Sequence, residues 1–160
     1  MSKCTLDVGC GERKKGDLGV DVRRLGSVDV IADAHHLPFV DASFSGCNAL
    51  AVLEHVDDPL AVLGEIHRVL KPKAPLHLLL PRRSRMYFYQ AKLLALLRWR
   101  TCWNIHKSLR EGTHKWQFTP RGLRRVLTEA KFQVEGVSML LDHKIPFTGN
   151  IIATARSLPE

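Results

Sequence analysis

The sequence predicts a doubly wound α/β fold built on a mostly parallel, seven-stranded sheet. Three observations carry this. Short apolar, β-prone runs alternate with helical or loop segments along the chain. The first run, Cys4 to Val8, closes in Asp7-Val8-Gly9-Cys10-Gly11, which puts an acid and a Gly-x-Gly turn at a strand's carboxyl end. The next two runs close in acids as well, at Asp21 and Asp33. Open α/β sheets bind nucleotide-like ligands at that edge, and paired glycines let the backbone come close without a Cβ in the way.

Residues 9–18 join the first strand to a second, Gly19-Val20-Asp21-Val22. A parallel crossover usually takes a dozen or more residues with a helix among them. This one has room for little more than a turn of helix. That argues against a dinucleotide site, which sets a pyrophosphate on the N-terminus of a full helix. Lys14 also stands where GxGxxG would have its third glycine, and no GxxxxGK[ST] is present. Asp21, at the carboxyl edge, can accept from both hydroxyls of a ribose; the plain alternative is a solvated turn acid.

The third strand, Val28 to Ala32, runs into Asp33-Ala34-His35-His36-Leu37-Pro38-Phe39. Asp33 is placed to accept from an adenine amino group. His35 and His36 read as loop residues, because adjacent histidines point apart and start a metal site poorly. The first half of Phe44 to Leu53 is the fourth strand. Asp58 and Pro59 then form an N-cap and first helical residue. Leu60, Leu63, Ile66 and Leu70 recur at helical spacing until Lys71-Pro72 stops the helix. Leu76 to Leu80 is a fifth strand, read as buried on both faces from its apolar run. Thr119-Pro120 opens another helix, lined by Leu123, Val126, Leu127 and Ala130. Phe132 to Leu141 and Asn150 to Arg156 close the sheet.

The 160 residues make one domain, 1–160, with an ordinary globular composition: 45% hydrophobic and 25% charged. No run of about 18 apolar residues exists, so no transmembrane helix is expected. With no secretory h-region, the expected location is cytoplasmic. Cys4, Cys10, Cys47 and Cys102 form no CxxC pair and read as free thiols, so no metal is expected. The net charge of +8 comes from one segment. Arg82 to Lys115 holds nine basic residues and one acid, and the remainder is neutral. Within it Met86 to Trp99 is helical in propensity and apolar nearly all round. Tyr87, Phe88, Tyr89, Trp99, Trp103 and Trp116 are interleaved with the charges. Residues 82–118 therefore read as a basic, aromatic helical insertion or cap. It suits RNA, through phosphate neutralisation and base stacking. It also suits an anionic or lipid-like substrate at a membrane surface. The third option, a cap over a small-molecule pocket, ranks first.

The ordered segments LDVGCG, GVDV, DVIADAHHLPF, SFSGCNALAVLEHV, EIHRVLKP and LHLLLP resemble the class I S-adenosylmethionine-dependent methyltransferases, most nearly the type 11 group. The resemblance runs through residues 4–81 and resumes weakly in HKWQFTPRGLRRVLTEAKF. It implies a Rossmann-like methyltransferase fold and S-adenosyl-L-methionine as cofactor. It implies that Asp7, Gly9, Cys10 and Gly11 cradle the methionine end, Asp21 holds the ribose, and Asp33 and Ala34 contact the adenine. Ala49 and Leu50 would lie beside the transferring methyl, with Glu54 and His55 at the mouth of the site. If the nucleophile must lose a proton, His55 is the candidate base and Glu54 its orienter. Four positions depart from the family: Ser45 where an acid is common, Lys73-Ala74 where Gly-Gly is common, and Lys131 at a frequent glycine position. The N-terminal helix and the helix after the glycine turn are missing too. A sheet face short of cover predicts a homodimer or a hetero-partner. The acceptor is expected to be a small molecule or RNA. A non-catalytic, cofactor-binding or partner-dependent subunit is the alternative.

Overall fold

The computed structural model describes residues 4–82, 115–116, 118–141 and 149–159. The strands are β1 (Thr5–Val8), β2 (Leu18–Asp21), β3 (Val30–Ile31), β4 (Gly46–Leu50), β5 (Pro75–Arg82), β6 (Phe132–Leu141) and β7 (Gly149–Ser157). They form one sheet in the order β3-β2-β1-β4-β5-β7-β6. The first five pair in parallel, and β7 runs antiparallel to both β5 and β6. The order reverses direction at β1, between β2 and β4. This is the switch point at which open α/β sheets leave a crevice.

The crossover from β1 to β2 contains no helix, and side chains fix it instead. Asp17 accepts from the Thr5 backbone N–H and from Thr5 Oγ1, each at 2.8 Å. The Asp7 carboxylate accepts from the Lys15 N–H, and Lys14 reaches Asp29 at 2.7 Å. β3 is shorter than the predicted Val28–Ala32. Asp29 uses its carboxylate to accept from Gly19 N at 2.7 Å, so only Val30 and Ile31 enter the ladder with β2.

Helix α1 (Pro59–Val69) starts where the sequence places it. The Asp58 side chain accepts from Leu60 N and Ala61 N, and Pro59 occupies the first position. Its buried residues Val62, Leu63, Ile66 and Val69 share a face. Helix α2 (Pro120–Glu129), capped by Thr119, buries Leu123 and Leu127. The two helices pack on each other over one core with Leu6, Val8, Leu76, Leu78, Leu80, Ile151 and Phe132. β5 corrects the expectation of burial on both faces. Leu76, Leu78 and Leu80 are buried while His77 is exposed, so the strand alternates like a half-covered one. Among the described residues no helix covers that second face.

Lys73 and Lys131 both adopt left-handed backbone, with φ of +63° and +62°. These are two of the positions at which the resembled family commonly has glycine. The turns have kept their shape while losing the residue best suited to it. The expected helix over Met86–Trp99, and all of the expected 82–118 insertion except residues 82, 115, 116 and 118, lie outside the described residues. Among those described, no helix is long and apolar enough to cross a membrane.

Candidate active site

A cleft of about 500 Å³ opens at the carboxyl ends of β1, β2 and β3. Gly9, Asp21, Asp33 and Ala34 line one side, and Ala51, Val52 and His55 line the other. Its size suits a small-molecule ligand. The end of β1 makes the room. Gly9 has φ +65°, and a Cβ there would lie 2.4 Å from Val52 Cγ2. Only glycine fits both constraints.

Asp21 is 6% exposed, at the end of β2. Its Oδ1 accepts from Arg23 N at 2.9 Å and from Arg23 Nε at 3.1 Å. Its Oδ2 accepts from Gly11 N at 3.0 Å and from Arg23 Nη2 at 3.2 Å. Burial alone would raise its pKa, but the Arg23 and Gly11 donors outweigh that and hold it below the usual carboxylate range. Asp33 is more exposed. The backbone N–H and ring of His35 lower its pKa. His35 Nδ1 lies 2.6 Å from Asp33 Oδ1, and its Nε2 receives the Asp58 N–H at 3.2 Å. A carboxylate only accepts and an amide N–H only donates, so the neutral Nδ1–H tautomer satisfies both. His35 thus ties the β3 loop to the start of α1.

Glu54 and His55 follow the turn after β4. His55 lines the cleft, and Glu54 lies behind it at 2% exposure. His55 Nε2 and Glu54 Oε1 are 3.9 Å apart. Among the described residues neither carboxylate oxygen of Glu54 has a hydrogen-bond partner. Burial raises its pKa above the ordinary glutamate range, favouring the protonated form. Residues 115 and 116 dock on the same turn. Both backbone N–H groups donate to the Glu54 carbonyl, and Trp116 Nε1 donates to the Val56 carbonyl at 3.0 Å. Lys115 pairs with Asp57.

The structure brings Gly9, Asp21, Asp33, Ala34 and His55 together at the cleft. It places other sequence-predicted residues elsewhere. Asp7 is buried and turned to the crossover, where it anchors Lys15. Gly11 contributes only its N–H, to Asp21. The Cys10 thiol points away, 4.0 Å from the Ser27 carbonyl and against Gly19. Ala49 and Leu50 do not line the cleft; Ala51 and Val52 do. β4 ends at Leu50, and Ala51 turns with φ +57°, so the turn rather than the strand faces the ligand space. Sequence reasoning missed Val22, Arg23 and His35. Val22 carries a signal of its own, as an apolar side chain following a strand-end acid. Arg23 carries none.

Residues 12–78 match the family model described as a methyltransferase domain. The O-methyltransferase rstn1 of Aspergillus nomiae is 49% identical over 43 residues, which is 27% of this chain and 19% of that relative. The chain therefore spans under a fifth of the length of that relative. A solved S-adenosylmethionine-dependent methyltransferase of Thermotoga maritima superposes with a TM-score of 0.70 at 19% identity, over 98% of this chain and 83% of that one. A methyltransferase solved in complex with the Trm112 activator of Haloferax volcanii gives 0.68 at 16% identity, over 97% and 82%. The sheet order and the strand-end cleft are those of the class I S-adenosylmethionine-dependent methyltransferase fold, and residues 12–78 carry the methyltransferase-domain match. S-adenosylmethionine is the cofactor of that class. The residues present fit an adenosyl group: glycine-made space at Gly9, an acid at the end of β2, and a second acid with a small residue, Asp33-Ala34, after β3.

Proposed function

We propose that the chain is an enzyme that moves the methyl group of S-adenosylmethionine to an acceptor bound at the mouth of this cleft. The observation that carries the reading is the meeting of Gly9, Asp21 and Asp33 along one rim of the sheet at its switch point. When bound, the cofactor supplies an electrophilic methyl on a sulfonium. The chain's own residues do the rest. Asp21 accepts from the ribose hydroxyls and Asp33 from the adenine amine. Gly9 leaves space for the cofactor beside β1. Alignment is the main catalytic contribution, since well-oriented partners gain about 7–11 kcal/mol over free encounter. His55 lines the cleft and can take the acceptor's proton at a ring nitrogen, with the Glu54 carboxyl buried 3.9 Å behind it.

The acceptor we infer is a small molecule, in preference to RNA. The O-methyltransferase similar to part of this chain supports that choice. One observation keeps a second reading alive, that of a partner-dependent or non-catalytic cofactor-binding subunit. A structural neighbour was solved with an activator, and no described helix covers one face of this sheet. A labelled-methyl screen of small-molecule, RNA and protein fractions tests both readings. Label in the small-molecule fraction is expected. Cofactor binding by calorimetry with no transfer to any fraction would favour the second reading. Asp21→Ala is expected to weaken cofactor binding ten- to a hundredfold, on the order of 1.5–3 kcal/mol for a lost charge-assisted bond. His55→Ala is expected to leave binding intact and lower turnover about a hundredfold.

A further inference from the structure

Asp21 is fully occupied by its own chain. A carboxylate offers about four acceptor positions. Asp21 fills two with the backbone N–H groups of Gly11 and Arg23, and two with Arg23 Nε and Nη2. The backbone donors are fixed by the turn that makes the cleft. The guanidinium is on a flexible side chain, 64% exposed. Its two bonds are divided evenly, one on each carboxylate oxygen.

Resting on the cofactor reading above, we propose that the Arg23 guanidinium holds the acceptor positions on Asp21 that a ribose would take, and that binding exchanges its two hydrogen bonds for those of a vicinal diol. Once the guanidinium leaves, each Asp21 oxygen keeps one backbone donor and offers one open position. Two adjacent hydroxyls match that arrangement, one to each oxygen. A ligand without them cannot repay the displacement and binds with Arg23 still in place. Arg23 is therefore a specificity-determining residue that sets how much the diol contributes to affinity. It opposes ligand entry, although it neighbours the binding acid.

Calorimetry on the full chain tests this with two probes, S-adenosylhomocysteine and its 2′,3′-dideoxy analogue. Arg23→Ala is expected to tighten S-adenosylhomocysteine binding roughly two- to fivefold, the scale of one exposed ion pair, and to leave the dideoxy analogue unchanged. Arg23→Lys keeps the charge but loses the fork, and is expected to fall between Arg23→Ala and the wild type. Raising the salt should narrow the gap, because the pair that competes with the diol is exposed and screened. Ligand-free melting curves of both variants check that they fold. Weaker binding of S-adenosylhomocysteine by Arg23→Ala would make Arg23 a ligand contact and overturn the exchange. An equal gain for both probes would mean simple clearance and overturn it too. No binding by wild type or variant overturns the cofactor reading, and the exchange with it.

Discussion

Gly9 makes room at the cleft, and Glu54 is buried behind it. Gly9→Ala would set a Cβ against Val52 in left-handed backbone. The conformation alone costs about 1–2 kcal/mol. A lowered melting temperature together with lost cofactor binding is expected. Glu54 has its folded pKa raised by burial, above an ordinary value of 4.5. The native state then holds this proton more tightly than the unfolded chain does. The stability so gained is full below the ordinary value and is lost as pH rises from there through the raised one. Glu54→Gln removes the titration. It should melt higher than wild type at neutral pH, by about 2–4 °C for each 1 kcal/mol recovered, and the gap should close on acidification. Asp21, Asp33 and Glu65 shift the opposite way, so only the difference between the two proteins isolates Glu54. A gap that stays constant with pH would refute this account.

The elements are held as much by side-chain devices as by periodicity. Asp58 caps α1 with two bonds and also hands its own N–H to His35 on the cleft wall. Asp58→Ala should cost about 1 kcal/mol in chemical denaturation. Arg68 on α1 binds Glu65, Asp41 and the carbonyls of Leu37 and Phe39, fixing the loop that follows β3. Lys73 and Lys131 turn with positive φ at the ends of their connections. Glycine at either position relieves the strain but frees the unfolded chain, leaving a net gain of about 0.5–1 kcal/mol each. Each melting curve should shift up, and the double variant is expected to depart from the sum, because Lys73 N–H and the Lys131 carbonyl bond the two sides of one peptide unit, Ser157–Leu158. The element starts were legible: Asp58-Pro59 and Thr119-Pro120 mark both helix N-termini. The extent of β3 was not, because Asp29 replaces a ladder bond with its side chain.

At the scale of the whole sheet, cover is uneven among the described residues. Leu76, Leu78 and Leu80 face the two helices, while His77 faces outward. Light scattering at micromolar concentration is expected to find a dimer or larger species, and a clean monomer of normal stability would oppose it. The charge excess between Arg82 and Lys115 enters the described structure at residues 115 and 116, which bond to the Glu54–Val56 turn beside the cleft.

Local order in the chain was enough to establish the parallel sheet, its capped helices and the three strand-end acids. Those depend on nearest neighbours: apolar runs, caps and turn residues act within a few positions. Which acids face the cleft was decided by three-dimensional packing. Asp7 and Asp21 look alike in sequence, each buried near the end of a strand. The helix-free crossover draws Asp7 to Lys15, whereas the Gly11 turn leaves Asp21 at the cleft under the guanidinium of Arg23. A side chain's direction depends on which distant backbone donors the fold brings within about 3 Å, and no spacing rule along a chain contains that.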